Sequence, residues 1–123
     1  DEVMTIESVD KDVHELLARM DDIAGKNGEY LRSIENRVID GSVDVNDILN
    51  KLSDYIRDCD AIHNEIDEYI QAVMKNLEPT NEAISILYIM SNLKSMNENS
   101  KKRLESFKLR IVPALIVLKQ IGY

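Results

Sequence analysis

Apolar residues recur along the chain at alternating steps of three and four, which places them on one side of an α-helix. Three such series are present, and they predict helices over residues 6–39, 44–77 and 81–121. In the first two series a second line of apolar residues lies one position along, as expected of helices that pack against two neighbours. The pattern therefore predicts an all-α protein, an antiparallel bundle of three long helices.

Two short segments separate the predicted helices. The stretch "DGSVDVND" combines Gly41, a residue type that ends helices, with Ser42 and Asp44, two candidate caps for the start of the next one. In "EPTNE", Pro79 disfavours helical geometry at the residue before it, and Thr80 is a suitable cap for the third helix. We expect the chain to turn at both segments.

The third predicted helix contains a polar segment, "SNLKSMNENSKKRL", between two hydrophobic stretches. The three-four alternation continues through it at Leu93, Asn97, Ser100 and Leu104. A loop has no reason to preserve helical phase, so we predict one continuous helix. A break near Asn97, which would give a four-helix bundle, is the alternative.

Antiparallel folding brings polar positions of all three predicted helices to one level of the bundle. We call this set the polar layer; its members are Asn27, Cys59, His63, Asn97 and Ser100. Polar residues in a helical core cost stability, but they can fix the register of the helices.

The composition limits the classes of partner. The chain has 123 residues, enough for a single domain over residues 1–123, and it starts with Asp rather than Met, as a piece of a longer protein would. Its formal net charge of -8 repels phosphate backbones, so no nucleic-acid partner is expected. The longest apolar run, residues 114–118, is far shorter than the roughly 20 residues that span a bilayer, so we expect a soluble protein without membrane insertion. A single cysteine suits a reducing compartment and favours a cytoplasmic location.

Candidate chemistry is sparse. Cys59, Asp60 and His63 lie at helical spacing, but a structural zinc site needs four ligands, and the only other histidine, His14, falls near the far end of the first helix. A buried cysteine beside a hydrogen-bonded histidine is the simpler interpretation. The chain has no Gly-rich phosphate loop, catalytic triad spacing or Cys-x-x-Cys pair, so we expect neither an enzyme nor a cofactor.

The third predicted helix also carries a basic run, for which we expect acidic partners such as Glu35 and Asp54 on the neighbouring helices. Its members are Lys101, Lys102, Arg103, Lys108 and Arg110.

The same helix has more apolar residues than a three-helix core requires. We predict that these form a partner-binding surface, which Pro113 adjoins and where it should kink the helix. The residues are Ile84, Ile89, Val112, Ile116 and Val117.

These features predict a non-enzymatic interaction or regulatory module that binds a partner helix or a second copy of itself, chiefly through the third helix. The predicted architecture is similar to the regulatory N-terminal bundles of syntaxins, chaperone-binding BAG domains and spectrin repeats, although no motif identifies the chain with one of these families. The alternative is a sensory bundle that binds a ligand in a small polar pocket at the polar layer.

Overall fold

The described part of the chain forms three α-helices: α1 (Ile6–Asp40), α2 (Val45–Asn76) and α3 (Asn81–Gln120). The computed structural model describes residues 3–40 and 44–121, and within these ranges only the backbone is described at residues 35, 38–40, 118 and 119. The predicted three-helix all-α fold is confirmed, and each described helix boundary agrees with the prediction to within one residue. Because α3 is continuous through Asn97, the four-helix alternative is wrong.

Side chains cap the start of each helix. Thr5 and Ser8 exchange backbone-to-hydroxyl hydrogen bonds of 3.1 and 2.9 Å at the start of α1. The Asp44 carboxylate accepts a hydrogen bond of 3.1 Å from the backbone N–H three residues later, and the Thr80 hydroxyl accepts one of 3.2 Å in the same way. Each bond satisfies an N–H that has no partner within its own helix. The caps predicted at Asp44 and Thr80 are therefore formed. Gly41 and Ser42 lie outside the described residues.

The buried apolar residues form two clusters rather than one continuous core. The large cluster lies towards the α2–α3 turn and contains Val9, Val13, Leu16, Met20, Ile62, Ile66, Val73, Ile86, Met90 and Leu93. The small cluster lies towards the other end and contains Ile34, Ile48, Leu52, Cys59, Leu104 and Leu115. Between them, Asn27 and Asn97 occupy core positions, so the core is interrupted at the predicted polar layer.

The three helices differ in how extensively they pack against one another. α2 and α3 pack against each other more extensively than α1 packs against either. Two ion pairs join α2 and α3 at their edge: Lys94 Nζ lies 2.5 Å from an Asp67 carboxylate oxygen, and Lys101 Nζ lies 2.6 Å from one of Asp60. α2 and α3 thus form a closely packed hairpin on which α1 lies.

Polar contacts at the surface tie α1 to this hairpin. The Arg19 guanidinium donates two hydrogen bonds, of 2.6 and 2.9 Å, to the Glu65 carboxylate. The Tyr69 hydroxyl donates one of 2.5 Å to Asp12. These contacts fix the position of α1 along α2 at the level of the large cluster.

The buried face of α3 shifts at Pro113, which lies inside the helix without ending it. Continuing the three-four alternation predicts Ala114 at a core position, but Ala114 is exposed and Leu115 is fully buried. The core residues at this end are therefore Ile111 and Leu115, four apart. The alternation calls for a step of three after Ile111, but the buried residues are separated by a step of four. Because a helix turns once in 3.6 residues, this longer step moves the buried face to a different side of α3.

Candidate functional site

An apolar stripe lies on the outer side of α3 near its C-terminal end. We call it the outer stripe; its members are Leu109, Val112, Pro113, Ile116 and Val117. Spacings of three, four, seven and eight residues from Leu109 place all of them on one helix face. The side chains of Leu109, Ile116 and Val117 are 77%, 49% and 55% exposed, Pro113 is exposed and Val112 is half-buried. An amphipathic face directed at solvent is the kind of surface that another helix covers.

The five residues predicted for partner binding do not lie together. Val112, Ile116 and Val117 belong to the outer stripe, whereas Ile84 and Ile89 lie near the start of α3, roughly 35–50 Å away at 1.5 Å per residue. Both isoleucines are about half exposed. Ile89 lines a shallow depression that also involves α1, so it faces a different direction from Ile84. The prediction thus covers two separate surfaces.

Leu109 and Tyr88 are among the exposed apolar residues that the sequence analysis did not identify. Leu109 is 77% exposed and Tyr88 is 69% exposed. Leu109 stands between Lys108 and Arg110, so the local sequence resembles a charged face. The available signal was spacing: Leu109 precedes Pro113 by four residues, and Tyr88 follows Ile84 by four.

Positively charged residues surround the start of the outer stripe. Lys101 binds Asp60, and the Lys108 ammonium donates a hydrogen bond of 3.3 Å to the Ser53 hydroxyl. Lys102, Arg103 and Arg110 are exposed. Part of the basic run therefore joins α3 to α2, and part of it faces solvent.

One acidic partner of this run differs from the sequence prediction. Asp54 pairs with Arg57 of its own helix, three residues later. The side chain of Glu35 lies outside the described residues, so its predicted pairing stays a prediction. Asp60 takes the role expected of Asp54 because it lies opposite Lys101 in the α2–α3 hairpin.

Four residues of the predicted polar layer lie around one small cavity. Asn27, Cys59, Asn97 and Ser100 line it, and its volume is about 20 Å³. Asn27 and Asn97 are only 6% and 4% exposed, Cys59 is buried and Ser100 is half-buried. The Asn97 amide donates a hydrogen bond of 2.8 Å to the Cys59 backbone carbonyl, which links α3 to α2 across the core.

The cavity has room for about one water molecule. Sites that bind whole small molecules enclose roughly 300–1,000 Å³. Asn27 Oδ1 is buried and accepts no hydrogen bond within the described part of the chain. The layer is therefore suited to a structural role, and its size argues against a metabolite pocket there.

His63, the remaining member, lies away from this cavity and is half-buried. Its Nε2 atom lies 3.2 Å from an Asp67 carboxylate oxygen. In the described ranges, no three His, Cys, Asp or Glu side chains are arranged to hold a metal ion. Burial, followed by the charges of Asp58 and Asp60, raises the pKa of the Cys59 thiol and disfavours the reactive thiolate.

None of the helices, over the residues described, combines the length and apolar character required to cross a membrane. Comparisons with known proteins found no matching family, no matching curated protein and no matching solved structure. The roles of the outer stripe and the polar layer must therefore be inferred from their own chemistry.

Proposed function

We propose that the protein is a non-enzymatic interaction module in which α3 binds an amphipathic helix of a partner protein. The observation that carries this proposal is the outer stripe, a set of apolar residues at helical spacing on an exposed face. Burial of apolar surface contributes about 25 cal/mol per Å², and a stripe of this spacing fits the apolar face of a second helix.

Charge indicates the chemistry of the partner. Lys102 and Arg110 are exposed close to the outer stripe, although the chain as a whole carries a formal charge of -8. Acidic residues beside the apolar face of a partner helix would be attracted here and repelled by most of the remaining surface. We therefore propose an acidic amphipathic helix as the ligand, which makes the docking position specific.

A reducing compartment such as the cytoplasm suits this module. Its single cysteine, Cys59, is free and buried, and it forms part of the small apolar cluster. Such a thiol serves packing and needs no oxidising environment.

The proposal is tested with a designed helical peptide that has leucines on one face and glutamates beside them. Peptide binding is followed by fluorescence anisotropy for the wild type and for Ile116→Glu. We expect Ile116→Glu to abolish binding while helicity and melting temperature stay nearly unchanged, because a surface site contributes little to the fold. Met74→Glu is the matched control, since Met74 is a 67% exposed apolar residue on α2.

Two results would count against the assignment, the first against Ile116 alone and the second against the outer stripe as a whole. If Ile116→Glu unfolds the protein, Ile116 belongs to the core, and Leu109→Glu, at a more exposed position, then tests the stripe independently. If Met74→Glu weakens peptide binding as much as Ile116→Glu, binding is not localised at the outer stripe. Sedimentation velocity at two protein concentrations identifies a second copy as the partner if wild-type self-association is lost in Ile116→Glu.

A further inference from the structure

A cleft opens between α1 and α3 at the level of the polar layer, on a different face from the outer stripe. Its volume is about 100 Å³. From α1 it is lined by Ala24, Asn27, Gly28 and Leu31, and from α3 by Ser100, Arg103 and Leu104. The cleft thus combines apolar walls with polar groups from both helices. It involves none of the residues on which the proposed function rests.

One guanidinium group lines this cleft, and a second lies beside one of the lining residues. Arg103 lines it directly, and its Nη2 donates a hydrogen bond of 3.5 Å to the Ser100 hydroxyl. Arg32 lies beside Gly28, with Nη1 3.4 Å from the position that a β-carbon on this glycine would occupy. Among the side chains that the structure describes, neither arginine forms an ion pair. Both arginine side chains are exposed and are therefore accessible to a ligand.

A buried amide contributes the third polar group. Asn27 is 94% buried, and its Oδ1 atom has no hydrogen-bond partner within the described residues. No hydrogen bond to Oδ1 therefore holds the amide in one orientation. Asn27 lines the cleft, and its amide NH₂ group supplies two N–H donors.

We propose that this cleft binds an oxyanion, a phosphate or carboxylate group, between Arg103, Arg32, Ser100 and Asn27. Guanidinium groups bind such anions through paired hydrogen bonds. A volume of about 100 Å³ suits a single functional group rather than a whole metabolite. Because the protein has a net charge of -8, diffuse attraction of anions is weak, and binding requires a local site.

The test is a titration with inorganic phosphate, and separately with acetate, against sodium chloride of matched ionic strength. Two-dimensional NMR follows the Arg103 Nε–H group and the backbone amides of Gly28 and Ser100. We expect saturable shifts at these groups with phosphate, with acetate or with both, and none with chloride. Saturation by phosphate alone identifies a phosphate group as the ligand chemistry, and saturation by acetate alone identifies a carboxylate. If neither phosphate nor acetate produces saturable shifts, the proposal is overturned.

Variants localise the binding. Arg103→Leu should weaken it about tenfold or more, whereas Lys102→Leu, which makes the same charge change at an exposed neighbour, should leave it within about twofold. If both variants weaken binding equally, the anion is attracted by the basic run as a whole and the proposal fails. Circular dichroism verifies that each variant is folded.

Two glycine substitutions in α1 provide a second matched pair. A β-carbon at Gly28 enters the space beside the Arg32 guanidinium, whereas one at Gly25 meets nothing within 4 Å. Both substitutions to alanine favour the helix, so loss of folding is not expected for either. Gly28→Ala should weaken anion binding several-fold, and Gly25→Ala should not change it. Equal effects of the two would overturn the assignment of the site to this cleft.

Discussion

Two asparagines occupy core positions, and they differ in how their polar atoms are satisfied. The Asn97 amide binds the backbone carbonyl of Cys59, whereas Asn27 Oδ1 has no partner among the described residues. A hydrogen bond to one carbonyl can form only when α3 lies at one position along α2. Asn97 is therefore suited to fixing the register of the hairpin, and Asn27 leaves a polar group available at the α1–α3 interface.

Replacing Asn97 with leucine should raise the free energy of unfolding by up to about 1 kcal/mol. Burial of the leucine contributes more than the lost hydrogen bond, which is worth about 0.5–1.5 kcal/mol, and the Cys59 carbonyl retains its bond within α2. The adjacent cavity of about 20 Å³ helps to accommodate the larger side chain. Urea unfolding measures the change, and Asn97→Ala serves as the cavity-forming control.

If Asn97 fixes the register of the hairpin, Asn97→Leu should also change how uniquely the helices associate. Asn97→Leu should show a second oligomeric state in sedimentation, or duplicated NMR signals, where the wild type shows one. A leucine variant that is destabilised by more than about 1 kcal/mol, with a single state, would show that the amide stabilises the fold rather than selecting the register.

At the scale of the element, α3 shows how far the sequence determines a helix and its buried face. Its continuity and boundaries were predictable because the three-four alternation passes through the polar segment and Thr80 marks its start. Its buried face beyond Pro113 was not predictable. Ala114, Leu115 and Ile116 are consecutive apolar residues, so any of the three positions could face the core. Only the packing of the folded bundle selects Leu115.

The binding surfaces are harder to predict from the sequence than the helices are. The two asparagines of the polar layer could be identified because they stand at core positions where the pattern otherwise has aliphatic residues. The α1–α3 cleft could not, because it depends on the distance between two helices and on the direction of the Arg103 side chain. Leu109 was hidden by its charged neighbours in the chain and is recognised only by its place on the helix surface.

Alanine substitutions at adjacent positions test the shifted face of α3. Leu115→Ala should reduce the free energy of unfolding by about 2–5 kcal/mol, because Leu115 is fully buried and its removal leaves a cavity. Ile116→Ala should change it by less than about 1 kcal/mol, because Ile116 is 49% exposed. Chemical unfolding of the two variants decides between the two positions, and the reverse order would place Ile116 rather than Leu115 in the core.

At the scale of the whole molecule, ion pairs between helices make stability depend on pH. The hydrogen bonds from Arg19 lower the pKa of Glu65, and the hydrogen bond from Lys94 lowers that of Asp67, with a further contribution from the charge of His63. Both carboxylates are partly exposed, so each pair contributes modestly.

Acidification should therefore destabilise the bundle. The unfolded chain binds protons more readily than the folded one, because these two pKa values are lower in the fold. The stabilisation is fully present above the unfolded pKa values of about 4 and is lost as the pH falls through the folded values. Urea midpoints at pH 7 and pH 3 measure the loss. Arg19→Gln should reduce the difference between them, and Lys102→Gln should leave it unchanged.

The interruption of the core by the polar layer has a consequence for how the molecule opens. The large and small apolar clusters are held together by helices that pass through a level with few apolar contacts. Each cluster can then lose its structure without the other, as a separate cooperative unit. Amide hydrogen exchange should therefore show two groups of backbone amides. Amides around Ile66 and Met90 should exchange most slowly, and those around Ile34 and Leu52 should exchange together, with a lower free energy of opening. The end of the bundle that carries the outer stripe would then be the end that loosens first.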